Sequence, residues 1–286
     1  MKPIDLAAIE NIIAEVAATE IMPRFRRLEQ SDIEMKGVND PVTVADKAAE
    51  EALIARFQDI LPGSVIVGEE SFAKDTRILS RFSGDEDVWV IDPIDGTRNF
   101  IEGRAEFGVM VALVRRKKTV AAWIHDPSSG DTLAAEEGGG VWMRGQKMRL
   151  AGHDPKIPRL GIIGSRLRSA LSKPRVVPVV AALPALTIGS AAAFDYARMF
   201  TGEKLFANSQ APRATFLLYR MSKPWDHVPG LFLQSESGGY SADLFGDPYD
   251  MENGKRGLIL APDLGAWTSL YHAVKPVLGT LVKTDS

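Results

Sequence analysis

Four short segments of this chain hold carboxylates at spacings that could serve one reaction. They are Asp40-Pro41-Val42-Thr43-Val44-Ala45-Asp46, Gly68-Glu69-Glu70-Ser71, Asp92-Pro93-Ile94-Asp95-Gly96-Thr97 and Trp225-Asp226. The third is the most informative. Val88-Trp89-Val90-Ile91 is too short for a helix and rich in β-formers, so it delivers Asp92 at a strand end. Pro93 fixes its own φ and stiffens the turn. Asp95-Gly96-Thr97 reads as a helix N-terminus, whose first N–H groups lack internal partners and suit an anion, phosphate above all. Carboxylates for a hard cation beside amides for a phosphate are what metal-assisted phosphoryl transfer requires. Asp-Pro and Asp-Gly are also ordinary turn pairs, and acids are ordinary helix caps. Taken singly, Asp46, Glu69 and Asp226 carry no more than that. Asp92 to Thr97 points to chemistry by itself.

The elements that must position these residues follow from periodicity. Apolar residues at helical spacing predict an amphipathic helix over 4–29, with a break at Pro23. A second helix is predicted over 44–60, ended by Leu61-Pro62-Gly63, and then a strand over 64–67. Strand-like runs at 107–114, 119–125, 131–136 and 140–143 imply a mainly antiparallel sheet covered by the first two helices. The second half alternates. Strands are expected at 160–164, 215–219 and 258–261. Helices are expected from Ser165 as N-cap, over 190–200 with a stop at Gly202, over 225–237 and over 263–277. That rhythm implies a more parallel sheet. The polar, turn-forming stretch near 150–158 divides a lobe of residues 1–150, carrying most of the acidic residues, from a lobe of residues 151–286 carrying Asp226.

Composition closes off other chemistries. The 286 residues are 45% hydrophobic and 25% charged, with net charge -3 and pI about 5.9. No bulk charge favours nucleic acid, and the clusters Arg24 to Arg27 and Arg115 to Lys118 read as solvated faces or turns. The absence of cysteine excludes disulfides, thiolate metal sites and cysteine nucleophiles. No window approaches a membrane span, and Asp5 and Glu10 interrupt any signal-peptide core, so a cytoplasmic protein is expected.

Together the four segments resemble the signature set of the inositol monophosphatase family, within the lithium-sensitive, magnesium-dependent phosphomonoesterases. The matches are Asp40 to Asp46, Gly68 to Ser71, Trp89 to Phe100 and Trp225 to Gly239, in the family's order, with weaker similarity at Gly189-Ser190-Ala191-Ala192. The resemblance implies an α/β (α+β) fold layered as an α-β-α-β-α sandwich of the inositol monophosphatase and fructose-1,6-bisphosphatase type. It implies two or three Mg2+ ions. Glu69, Asp92 and the Ile94 carbonyl would bind the first, and Asp92, Asp95 and Asp226 the second. Asp46 and Thr97, with Glu69, would form the catalytic set that orients and deprotonates an attacking water. Glu70 would support the metal ligands. The substrate would meet Gly96, Thr97, Gly189, Ser190, Ala191, Tyr219 and Asp226. A homodimer is implied as well.

The substrate side departs from the family. Inositol-specific members carry a glutamate seven residues before the tryptophan-linked aspartate, and here that position is Tyr219, followed by Arg220. Tyr219 is expected to hydrogen-bond a hydroxyl or stack on a ring, and Arg220 to meet a second anionic group. Both also read as plain strand residues. Ser190 reads equally as a helix cap. Pro229 is expected in a first helical turn, and His227 is expected to point away from Asp226. Lys36 is expected near the phosphate. Inositol 1-phosphate is the default substrate. Fructose 1,6-bisphosphate, histidinol phosphate or a 3′-phosphonucleotide are alternatives. A partner-binding regulator of transcription or RNA processing is an alternative of another class, which the charge does not support.

Overall fold

The protein is described from a computed structural model covering residues 4–201, 206 and 212–279. The chain opens with α1 (Leu6–Val16), whose N-cap Asp5 accepts from the Ala8 N–H. A hairpin of β1 (Ile33–Gly37) and β2 (Asp40–Thr43) leads into α2 (Val44–Ile60). Then come β3 (Val65–Gly68), α3 (Glu69–Lys74), β4 (Val88–Asp95) and α4 (Thr97–Ile101). Strands β5 (Gly108–Arg115), β6 (Lys118–Asp126), β7 (Asp131–Glu136), β8 (Gly140–Met143) and β9 (Gln146–Lys147) follow as a meander. The second half holds β10 (Leu160–Ile163), α5 (Arg168–Leu171), α6 (Val177–Ala181), β11 (Ala185–Ile188), α7 (Ala192–Ala197) and β12 (Phe216–Tyr219). It closes with α8 (Pro224–Glu236), β13 (Tyr240–Ala242), β14 (Leu258–Ala261) and α9 (Leu264–Val274).

Among the described residues, β3 to β9 form one sheet in sequence order, parallel only at β3–β4. The second sheet runs β11-β10-β12-β14-β13, parallel across its first three strands and antiparallel beyond. The period of two along each strand sorts side chains into layers. Trp89 and Ile91 of β4 join Ile13, Ala49, Leu53 and Phe57 of α1 and α2 in an outer core. Val88 and Val90 face the other way, into a central core with Tyr196 of α7, Trp225, Val228 and Phe232 of α8, and Leu217 and Leu260 of the second sheet. Leu218 and Ile259 face a third core under α9, with Trp267 and Val274. Three cores between five layers make the chain an α-β-α-β-α sandwich, with α7 and α8 in the middle. The Trp89 ring stacks on Phe57 at 4.4 Å between centroids, which contributes about 1 kcal/mol beyond its burial.

Several local expectations change. The first helix does not run to 29. It ends at Val16, passes through one π turn at Ala17–Ile21 and a 3-10 turn at Met22–Arg24, and Pro23 lies in that last turn. Ser165 begins a 3-10 turn instead of capping a helix. The helix expected over 190–200 spans Ala192–Ala197. Its cap position is Ala191, so Ser190 caps nothing, and the Gly202 stop lies outside the described residues. Pro229 sits inside α8, whose first residue is Pro224. There it removes the backbone bond it would have made to Trp225.

Candidate active site

The acidic segments converge because they lie at one end of the molecule. Glu69 follows the C-terminal end of β3, and Asp92 and Asp95 end β4. Asp46 and Asp226 lie in the first turns of α2 and α8. Ligand sites of open α/β sheets gather at such carboxyl ends.

A bulge in β4 decides which way the pair points. Residues three apart on a regular strand face opposite sides. Asp92 pairs with Met110 and Asp95 with Gly108, with a register shift between them. The extra residue reverses the alternation. Ile94 is thereby turned into the outer core, and Asp95 joins Asp92 toward the middle layer, where its Oδ2 accepts from Ala193 N–H of α7 at 2.6 Å. Gly96 then turns the chain with φ of 87°. A Cβ there would lie 2.9 Å from the Ala191 Cβ and from the Glu106 carbonyl oxygen, so the turn requires glycine.

Asp46 does two jobs. Its Oδ2 accepts from the Thr43 N–H at 2.8 Å and the Thr43 hydroxyl at 2.6 Å, which closes the capping box of α2. Its Oδ1 accepts from the Thr97 hydroxyl at 3.1 Å, and that hydroxyl also lies 3.0 Å from the Ile94 carbonyl oxygen. Burial raises the Asp46 carboxyl to about 6.

The remaining carboxyls crowd one another. Burial raises Asp92 and Glu69 well above the ordinary carboxylate range, and the charges of Glu69, Asp95 and Asp226 add to this at Asp92. Asp95 rises to about 8 through burial and the Asp226 charge. Asp226 rises to about 6 through burial, restrained by Arg166 and by a hydrogen bond with Asp92. Lys36 of β1 answers part of this charge. Its Nζ lies 2.6 Å from Glu69 Oε1 and 2.8 Å from Glu70 Oε1, so it meets carboxylates where a phosphate contact was expected. Burial alone would lower its pKa, but the two glutamates more than reverse that.

An oxygen-only donor set with more negative charge than Lys36 can balance suits a hard divalent cation, so the residues fit such an ion. No three acidic or imidazole side chains among the described residues yet close around one point. Glu69 is closed on Lys36.

Two buried carboxylates beside the site escaped the sequence reading. Glu50 accepts from the Glu70 N–H at 2.9 Å, the Ser71 N–H at 2.8 Å and the Ser71 hydroxyl at 2.6 Å, and so fixes the turn that presents Glu69. A Cβ on Gly68 would fall 2.4 Å from Glu50 Oε2. The spacing of four from Asp46 was its visible signal, since i and i+4 share a helix face. Asp195 accepts from the Tyr219 hydroxyl at 2.9 Å. The Tyr219 hydroxyl proton is therefore given to Asp195, and the residue borders the cavity described next. A cavity of about 170 Å³ is lined by Asp95, Asp226, Gly189 to Ala192, Asp195, Tyr219, Arg166 and Arg220. His227 also borders it, with its Nδ1 3.0 Å from the Tyr196 hydroxyl.

The layering agrees with the comparisons. The sequence profile of the inositol monophosphatase family matches residues 2–275, and the chain belongs to that family. It is 27% identical over 283 residues to an inositol-1-monophosphatase of Mesorhizobium japonicum, covering 95% of this chain and 98% of that one. It is 28% identical over 271 residues to the Nus factor SuhB of Haemophilus influenzae, covering 93% and 94%. An IMPase structure from Thermotoga maritima superposes with a TM-score of 0.75 at 24% identity, covering 96% of this chain and 98% of that one. No helix among the described residues is long and apolar enough to cross a membrane.

Proposed function

We propose that this chain is a Mg2+-dependent phosphomonoesterase of small polyol or sugar phosphates, with inositol 1-phosphate as the first substrate to test. The observation that carries this reading is the Thr97–Asp46 hydrogen bond of 3.1 Å beside four mutually repelling carboxyls. Glu69, Asp92, Asp95, Asp226 and the Ile94 carbonyl would hold the cations. When bound, these supply charge neutralisation and acidify water. Thr97 is the relay. Its oxygen takes a proton from the attacking water as its own proton passes to Asp46 Oδ1, which the raised pKa of Asp46 favours. The water oxygen then bonds to phosphorus in line with the departing ester oxygen, whose bond to phosphorus breaks, and solvent protonates the released alcohol. The N–H groups of Gly96 and Thr97 orient the phosphate. Gly189, Ser190 and Ala191 border the leaving group. A cytoplasmic homodimer acting on a soluble metabolite is the setting this reading carries.

Purified protein with Mg2+ is expected to release phosphate from inositol 1-phosphate, and Asp92→Asn to abolish release. No turnover of any sugar or polyol phosphate would sink the reading. Fructose 1,6-bisphosphate and the other phosphate esters belong in the same panel, ranked by kcat/KM.

A further inference from the structure

The cavity beside the acidic centre contains one carboxylate that the proposed reaction does not use. Asp195 is only 2% exposed, yet its side chain borders the cavity, one helical turn from the Ala191 and Ala192 backbone. Its Oδ2 is held by the Tyr219 hydroxyl at 2.9 Å. Its Oδ1 has one long contact, the Ser190 N–H at 3.4 Å. A buried carboxylate has four acceptor positions, and an acceptor deprived of donors in a dry site is costly. Its ion-pair needs are not met either. Burial raises it to about 7, and the Arg198 charge only partly offsets this.

The geometry also fixes where this carboxylate stands. Gly189 leaves room for it, since a Cβ there would meet Asp195 Oδ2 at 2.0 Å. Tyr219 is braced in turn by the His227 ring at 4.6 Å and by Gly164, where a Cβ would fall 2.6 Å from the Tyr219 ring. Asp195 thus stands against Gly189 and Ser190, the stretch that borders the leaving group in the proposed reaction.

We infer that Asp195, held by Tyr219, recognises the leaving group by accepting a hydrogen bond from one of its hydroxyls. This rests on the phosphatase reading above and adds a residue that sets its specificity. A hydroxyl and an ammonium are both donors. Arg166 and Arg220 share the cavity wall with Asp95 and Asp226, so the choice between the two donors is made by the test.

The test compares two matched esters, myo-inositol 1-phosphate and cyclohexyl phosphate, on wild type, Asp195→Asn and Tyr219→Phe. A site built around a substrate hydroxyl discriminates strongly against an analogue lacking it. Asp195→Asn weakens a charge-assisted acceptor, and kcat/KM for inositol 1-phosphate is expected to fall about tenfold, mostly through KM. The loss on cyclohexyl phosphate is expected to stay within about threefold. Tyr219→Phe keeps the ring but releases Oδ2, so it is expected to move the same ratio in the same direction by less. It also decides the matter if Asp195→Asn does not fold. Equal losses on both esters would assign Asp195 to loop support and overturn the inference. So would phosphoethanolamine as the preferred substrate, with the larger loss in Asp195→Asn. Wild-type protein that hydrolyses none of these esters would overturn the phosphatase reading itself.

Discussion

Thr97 has one hydroxyl proton and two acceptors within reach, Asp46 Oδ1 and the Ile94 carbonyl. In the proposed reaction its role depends on the hydroxyl and not on the methyl group. Thr97→Val keeps the shape and is expected to lower kcat about 10²- to 10³-fold with little change in KM, while Thr97→Ser restores most of it. Steady-state kinetics on the two variants check this, and equal activity of Val and Ser would refute the relay. At this scale the sequence was legible where a motif carried several chemical residues in a row, as from Asp92 to Thr97. It was not legible where a role depends on a partner far along the chain. Nothing local marks Asp195 as the partner of Tyr219, 24 residues on. The bond Tyr219 makes was not legible either, because a strand residue's partner depends on which layer its face meets. Lys36 was aimed at a phosphate because its hairpin, β1–β2, was not recognised.

At the scale of elements, two buried devices hold the site. Glu50 ties α2 to the first turn of α3, and Gly96 turns β4 into α4. Glu50→Ala leaves two N–H groups and a hydroxyl unpaired and is expected to cost about 2 kcal/mol by denaturant melt. It should weaken cation binding as well, since Glu69 loses its support. Gly96→Ala forces a side chain into positive φ and against Ala191, at an expected cost of about 1–3 kcal/mol together with a lower kcat. Unchanged stability in either variant would contradict the packing described. Elements bounded by clear turn signals could be read from the chain within a residue or two: α2, β5 to β8, and the four-residue strands β3, β10, β12 and β14. The π turn after α1, the hairpin β1–β2 and strand β11 could not, because their form is set by what they pack against.

The whole molecule responds to pH through its unbalanced acids. Asp46 and Asp226, at about 6, and Asp95, at about 8, stand above their ordinary 3.8. The folded state holds more protons there, so these groups lose stability as pH rises from about 4 through those values. His125, lowered to about 4, and His227, lowered to about 3, have the opposite sign, and their contribution is lost only as pH falls below 6.5. Between about 6.5 and 8 the carboxyls act alone. In chelator the melting temperature is expected to fall across that window, and Mg2+ at pH 8 to raise it by several degrees. A flat profile, or no effect of Mg2+, would contradict the charge surplus. The five layers were legible only through the resemblance, because periodicity reveals faces and not which layer each face meets. The acidic residues come from both sides of the polar stretch near 150–158: Glu69, Asp92 and Asp95 before it, Asp226 after it. A cation held by them, as proposed, would therefore also tie the two stretches of chain together. Amide hydrogen exchange in β12 and α8 should slow with the ion present, and a chelator should act there as a loosening agent as well as an inhibitor.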